Sequence, residues 1–458
     1  MCKVFCAILE SMDTKKIFER VSSHFDQAKS DLIELVAIPS VSAKSFDQST
    51  LERSAQWIAA HAEELGLETE IIHLSTASGL EGRPAILASR PAQEGKPTVL
   101  LYAHHDVQPQ GSEEKWNTDP FVAKEIGDRL YGRGAADDKA GVVLHLEAIR
   151  AADPGVGIVL FIEGEEEVGS PTFVDFLETY RDRLAADVIV VADSNNWAVG
   201  TPSLTTSLRG VVSVRAHLSV LDHALHSGAY SGPVIDAVTL ASRLIATLHD
   251  DKGDVAVEGL LAYDDTTAVY EDEQFRVDAG VLDGVQLTGT GSIASRLWTK
   301  PTISVIGMDV TPVAVASNTL IPSVSFALSL RVAPGQDSAE AAQMLTKHLQ
   351  SHVPFGAHLT VDIEETGPGF VAEPGSDVTK LAEQMLAEAF DTEPVNIGIG
   401  GSIPFISELK RVFPSAEILV TGVEDPDTRA HSENESLHLG DWKKAIGAEA
   451  LLLSKLGE

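Results

Sequence analysis

Residues 97–106 read PTVLLYAHHD, a short apolar run that ends at once in two imidazoles and a carboxylate. A run this brief, opened by a proline and too short for a helix, reads as a buried strand. The arrangement recurs downstream. Gly157–Ile162 (GIVLFI) runs into Glu163-Gly164-Glu165-Glu166-Glu167, and Asp187–Ala192 (DVIVVA) runs into Asp193. Helical periodicity over Ala140–Ala151 and Ser170–Tyr180 fills the intervals. Strands alternating with helices predict an α/β domain: a mixed, mostly parallel sheet flanked by helices, with polar groups collecting at the strands' carboxyl edge.

Working outward, Ile17–Leu35 and Leu51–Leu65 carry apolar residues at helical spacing, with the first helix expected to begin near Asp13. The character changes after Asp193. Ser207–Leu218, Val324–Val332 and Leu359–Glu364 read as strands, and Pro233–His249 and Ser338–His352 as helices. This combination predicts an α+β layer inserted into the first domain. A helix at Asp377–Phe390, a strand at Glu417–Thr421 and a helix at Asp441–Leu456 return the chain to that domain. The expected organisation is therefore 1–206 and 367–458 as one domain, with 207–366 inserted. Two domains suit 458 residues, since single cores stop growing beyond roughly 250–300.

The 68 acidic residues outnumber the 34 basic ones, for a formal charge of −34 spread along the chain. Such a surface repels phosphate backbones and anionic bilayers, so neither nucleic acid nor membrane is an expected partner. No apolar run reaches the roughly 18 residues that a membrane span requires. Both cysteines, Cys2 and Cys6, lie at the start, so no disulfide framework is expected and a cytoplasmic location is.

The polar groups at the strand ends form an inventory. His104, His105 and Asp106 follow the first strand, Glu163 to Glu167 the second, and Asp193 the third. Asp137 and Asp138 stand at the start of a helix, and His431 lies in a late loop, Arg429–Glu435. Singly, each reads as a cap or a solvated turn. Together, oxygen and nitrogen donors without thiolates suit zinc, manganese or cobalt in a hydrolase. Two neighbouring cations need a carboxylate between them, and a further carboxylate to take a proton from water.

At these residues the chain resembles the M20 metallopeptidases, and within them the cytosolic dipeptidase and carnosinase branch. LLYAHHDVQP at 100–109, LYGRGAADDKAG at 130–141 and FIEGEEEVGS at 161–170 carry the likeness, with GGSIPF at 400–405 and AHSENE at 430–435. The resemblance implies two divalent ions per subunit, zinc in the first instance with manganese or cobalt as alternatives. It places His104, Asp137 and Asp193 on one ion and Asp137, Glu167 and His431 on the other, with Asp137 bridging. It makes Asp106 the carboxylate that orients His104, and Glu166 the general base acting on a hydroxide between the ions. It also implies a cis peptide between Asp137 and Asp138, with His105 structural.

The same resemblance makes the insert a lid and dimerisation domain. His226 in His226-Ser227-Gly228 is then expected to reach the active site of a partner in a homodimer, and Arg331 to hold a substrate carboxylate, with Asn318 and Ser402 as further contacts. Gly398-Ile399 stand where many dipeptidases carry Arg-Glu, which puts recognition of a free amino group in doubt. The expected activity is hydrolysis of the amide bond of dipeptides. Deacylation of N-acyl amino acids is the alternative substrate class, and a binding protein on a retired hydrolase fold is a third reading.

Overall fold

The 97–106 stretch lies at the centre of a six-stranded sheet. The computed structural model describes residues 2–152, 154–264, 268–373, 375–401 and 404–458. Within it, the strands β1 (Glu68–Ile72), β2 (Ala85–Arg90), β3 (Thr98–His104), β4 (Gly157–Glu163) and β5 (Val188–Val191) are joined by a closing strand, Glu417–Val420. Their spatial order is β1-β2-β4-β3-β5, then the closing strand. β3 runs parallel to β4 and β5, and the closing strand parallel to β5. β1 and β2 pair antiparallel, as do β2 and β4. The sheet is thus mixed, with a parallel centre, as the sequence predicts.

Every residue of β4 is buried because helices cover both faces, so its sequence is continuously apolar rather than alternating. One face (Val99, Leu101, Ile158, Leu160, Val190) packs in a core with helices Cys2–Val36, Lys139–Ala152 and Leu439–Leu456. On the other, Phe161 stacks on Phe176 at 4.7 Å between ring centroids, and Tyr102 meets Phe161 edge-on. The first helix begins at Cys2 rather than near Asp13; no glycine or proline interrupts residues 2–36, so nothing local stops it earlier. The hairpin of β1 and β2 escaped the sequence reading, because Glu68–Ile72 alternates on a largely exposed edge and lacks an apolar run.

The chain divides into two compact units: residues 1–206, 372–396 and 408–458, and residues 207–371 with 397–407. The second has a four-stranded antiparallel sheet of β6 (Gly210–Ser219), β7 (Thr302–Met308), β8 (Ser323–Val332) and β9 (His358–Gly367), in the order β7-β8-β6-β9. Helices Ala237–Ala246 and Ser338–Ser351 pack their apolar sides on it through Leu240, Leu244, Leu345 and Leu349. Alternating burial along β8, with Val324, Phe326, Leu328 and Leu330 inward, is the period-two signature of a sheet covered on one face. Strand β7 was missed by the sequence reading: Val305 and Ile306 are apolar but exposed.

Candidate metal centre

Parallel pairing aligns the ends of the central strands. His104 at the end of β3 lies opposite Glu163 at the end of β4, and Tyr102 opposite Val191, so Asp193 leaves β5 at the same edge. The turn Gly132–Asp138 delivers Asp137 ahead of helix Lys139–Ala152, and the loop after the closing strand delivers His431. The peptide between Asp137 and Asp138 is cis, as the resemblance implies.

Two donor triads result. Atoms of His104, Asp137 and Asp193 lie within 4.8 Å of one another, and so do atoms of Asp137, Glu167 and His431. Asp137 faces both ways. Its Oδ1 lies 3.1 Å from His104 Nε2, and its Oδ2 lies 3.0 Å from His431 Nε2. His431 Nε2 is also 3.2 Å from Glu167 Oε2, and His104 Nε2 is 4.0 Å from Asp193 Oδ2. The donors are nitrogen and oxygen only, clustered at coordination spacing, with one carboxylate common to both sets. That chemistry fits a pair of divalent cations.

The surroundings hold these groups in place. His104 Nδ1 lies 3.0 Å from the Asp106 carbonyl oxygen, which leaves Nε2 to face the carboxylates. The Asp106 carboxylate accepts from the backbone N–H of Glu166 (3.1 Å) and Glu167 (3.0 Å), and so fixes the turn that carries both. Gln108 grips Glu167 through its backbone N–H (3.0 Å) and its side-chain amide (2.9 Å). Glu165 turns away, accepting from Thr172 and from the Arg83 backbone, so it and Glu166 point to different tasks. His105 Nε2 meets the Pro84 carbonyl oxygen at 2.8 Å, and burial lowers the pKa of its ring to about 4.

Charge is unbalanced here. Burial, with Asp193 and Glu167 nearby, raises the Glu166 carboxyl to about 9. Burial likewise raises Asp193 to about 6. Burial alone would lower the pKa of His104, but its contacts with Asp106 and Asp137 outweigh that and hold it well above the ordinary value. Hydrogen bonds to Asp137 and Glu167 raise His431 to about 11. Each shift has the sense expected where carboxylates exceed local positive charge, a deficit that bound cations make good.

Two residues that sequence reasoning passed over matter here. Glu435 is fully buried and accepts from Arg133 Nη1 at 2.6 Å, and from the backbone N–H of Gly134, Ala136 and Asp137 at 3.0, 3.0 and 3.1 Å. It therefore pins the turn that presents Asp137. Its place in the quoted AHSENE motif was the available signal. Glu424 lies in the loop leading to His431; an acidic residue between a strand and a Pro-containing turn gave no signal at all.

The remaining expected contacts lie in the second unit. His226 and Asn318 are exposed neighbours: His226 pairs with Thr319 across two short strands, and the Asn318 carbonyl accepts from the Ser227 N–H at 3.0 Å. Arg331 is the penultimate residue of strand β8. Arg209, unremarked in the sequence, is close enough to Arg331 that burial and this second guanidinium together lower its pKa to about 10. Ser402 falls outside the described residues.

A mixed α/β sheet whose strand ends assemble imidazoles and carboxylates into cation-sized triads is the build of a metal-dependent hydrolase. The family model described as peptidase family M20/M25/M40 matches residues 100–455, and the chain belongs to that family. It is a metallopeptidase. It is 34% identical to a cysteinylglycine-S-conjugate dipeptidase of Corynebacterium striatum, over 93% of this chain and 95% of that one. It is 27% identical to the Beta-Ala-His dipeptidase of Homo sapiens, over 93% and 89%. The crystal structure of human carnosine dipeptidase 1 superposes with a TM-score of 0.76 at 25% identity, covering 97% of this chain and 98% of that one. Among the described residues no helix is long and apolar enough to cross a membrane.

Proposed function

We propose that the chain is a dipeptidase in which two divalent cations, zinc in the first instance, serve hydrolysis of the amide bond with Glu166 as general base. The observation that carries this reading is the position of Asp137, one oxygen toward each triad. His104 and Asp193 would hold one ion, Glu167 and His431 the other, and Asp137 both. Bound there, the pair supplies Lewis acidity to water and to the scissile carbonyl.

The chain's own residues supply the rest. Glu166 makes no hydrogen bond or ion pair through its carboxylate among the described residues, so it is available to accept the proton of the attacking water and return it to the leaving amine. Asp106 keeps that carboxylate in register by holding the Glu166 and Glu167 backbone. We read residues 207–366 as the lid and dimerisation domain. His226, Asn318 and Arg331 are its substrate contacts, with Ser402 a further contact from the turn at 400–405, a bidentate guanidinium suiting the substrate carboxylate. Exposed apolar side chains on and after edge strand β7, among them Ile306, Val313 and Val315, support a homodimer. The relatives' names, a cysteinylglycine-conjugate and a Beta-Ala-His dipeptidase, favour short peptides over N-acyl amino acids. A cytoplasmic location accords with the absence of a disulfide framework in the sequence.

The test is a panel of dipeptides and N-acetyl amino acids assayed with zinc, manganese and cobalt in turn, on wild type and Glu166→Ala. Dipeptide cleavage that falls at least about a thousandfold in the variant, with metal content intact, is expected. Substantial residual turnover in Glu166→Ala would refute the role of that residue, and cleavage of N-acetyl amino acids alone would transfer the enzyme to the deacylase class.

A further inference from the structure

In any α-dipeptide the amino nitrogen lies two bonds from the scissile carbonyl carbon. An enzyme that binds that carbonyl at its metal centre therefore meets the ammonium group beside the centre too, and an unpaired cation there costs affinity. The stretch before Gly400-Gly401 contributes no charge, being Gly398-Ile399. An anionic acceptor for the ammonium has to come from elsewhere.

The carboxylates around the centre divide sharply. Those of Asp106, Asp137, Asp138, Glu167 and Glu435 all accept hydrogen bonds. Asp193 faces His104 Nε2. Two remain without a hydrogen bond or ion pair to any described residue, Glu166 and Glu424, and Glu166 already has a task.

The backbone holds Glu424 beside the metal-facing edge. The closing strand runs parallel to β5, and the loops that follow the two strands continue side by side. Asn195 pairs with Glu424, and the Asn196 N–H donates to the Glu424 carbonyl oxygen at 2.7 Å. The loops touch so closely at Gly422 that a Cβ there would lie 1.5 Å from the Ser194 carbonyl oxygen, and only glycine fits. Glu424 thus stands level with Asn195, two residues past Asp193, and seven residues ahead of His431, half-buried. Burial first, then Asp137, Asp193 and Glu435, pushes its carboxyl well above the usual range.

We propose that Glu424 is the specificity-determining carboxylate that receives the free ammonium group of a dipeptide bound at the metal centre. This rests on the dipeptidase reading above. It accounts for how a chain with no charge at positions 398 and 399 can still prefer a free amino terminus to an acylated one.

The test compares alanylglycine with propionylglycine, which lacks only the ammonium group, on metal-loaded wild type, Glu424→Gln and Glu424→Asp. In Glu424→Gln the KM for alanylglycine rises about 10- to 100-fold, the range expected for a lost charge-assisted hydrogen bond. The inhibition constant of propionylglycine stays within about threefold, metal content is unchanged, and Glu424→Asp recovers part of the loss. Equal shifts for both ligands, or an unchanged KM, overturn the assignment. Loss of metal in Glu424→Gln overturns it as well, by making the residue a servant of the ions. If wild type cleaves N-acetyl amino acids and no dipeptide, the dipeptidase reading falls first and takes this one with it. If wild type cleaves dipeptides normally, only Glu424 is at stake.

Discussion

Replacing Glu435 by alanine tests whether a buried ion pair holds the turn that presents Asp137. The substitution removes the carboxylate that faces the guanidinium of Arg133, a residue 1% exposed that keeps the Pro109 and Ser432 carbonyls, and takes the acceptor from three backbone N–H groups. Breaking a buried pair from one side costs about 3–5 kcal/mol. Each orphaned N–H adds about 1 kcal/mol or more, and water entering the vacated space returns part of it. A net loss of about 5 kcal/mol is expected, a large fraction of the about 5–15 kcal/mol that stabilises a typical domain. Glu435→Gln keeps the volume and one acceptor oxygen, so about half that loss is expected. Urea denaturation of the chelator-treated protein reads the stability. Zinc titration should show affinity about 10- to 100-fold weaker, since the backbone of Asp137 loses its anchor. Combining Glu435→Gln with Arg133→Met closes a double-mutant cycle, expected to show coupling of at least about 2 kcal/mol. A Glu435→Ala protein within about 1 kcal/mol of wild type, with unchanged zinc affinity, would refute the reasoning.

Two further outcomes follow from burial and charge. His431 is 59% exposed at its side chain and His104 1%, so His431→Ala should cost under about 1 kcal/mol of stability while His104→Ala costs about 2–4. Each should lower the zinc bound per chain as read by elemental analysis, and a full complement of zinc in either variant would count against that ligand assignment. Burial raises Glu163 to about 8, with Tyr102 Oη donating to it at 2.6 Å. Its folded pKa exceeds the unfolded value near 4.5, so folding takes up a proton between those limits. That contribution is complete below about pH 4.5 and disappears as pH rises through about 8, at up to about 1.4 kcal/mol per unit. Chemical denaturation of the chelator-treated protein at pH 5 to 8.5 should show a shallower decline for Glu163→Gln; parallel curves would exclude a protonated Glu163.

The amino-acid sequence by itself determined the central strands, because strands buried on both faces must be apolar throughout, and β3, β4 and β5 begin and end within two residues of their apolar runs. It also determined the family, through motifs whose imidazoles and carboxylates the fold brings together at the strand ends. Edge strands were less legible. Half of each edge strand faces water, which erases the apolar signal in β1 and leaves it misleading in β7, where Val305 and Ile306 are exposed. Only the tertiary structure decided which carboxylates stand idle and which are engaged. Glu165 and Glu166 are neighbours of one type, yet one is spent on Thr172 and the other has no partner among the described residues, because a turn held by Asp106 sends them in different directions. Glu424 and Glu435 acquire their surroundings from residues hundreds of positions away, and no local pattern records a contact of that kind.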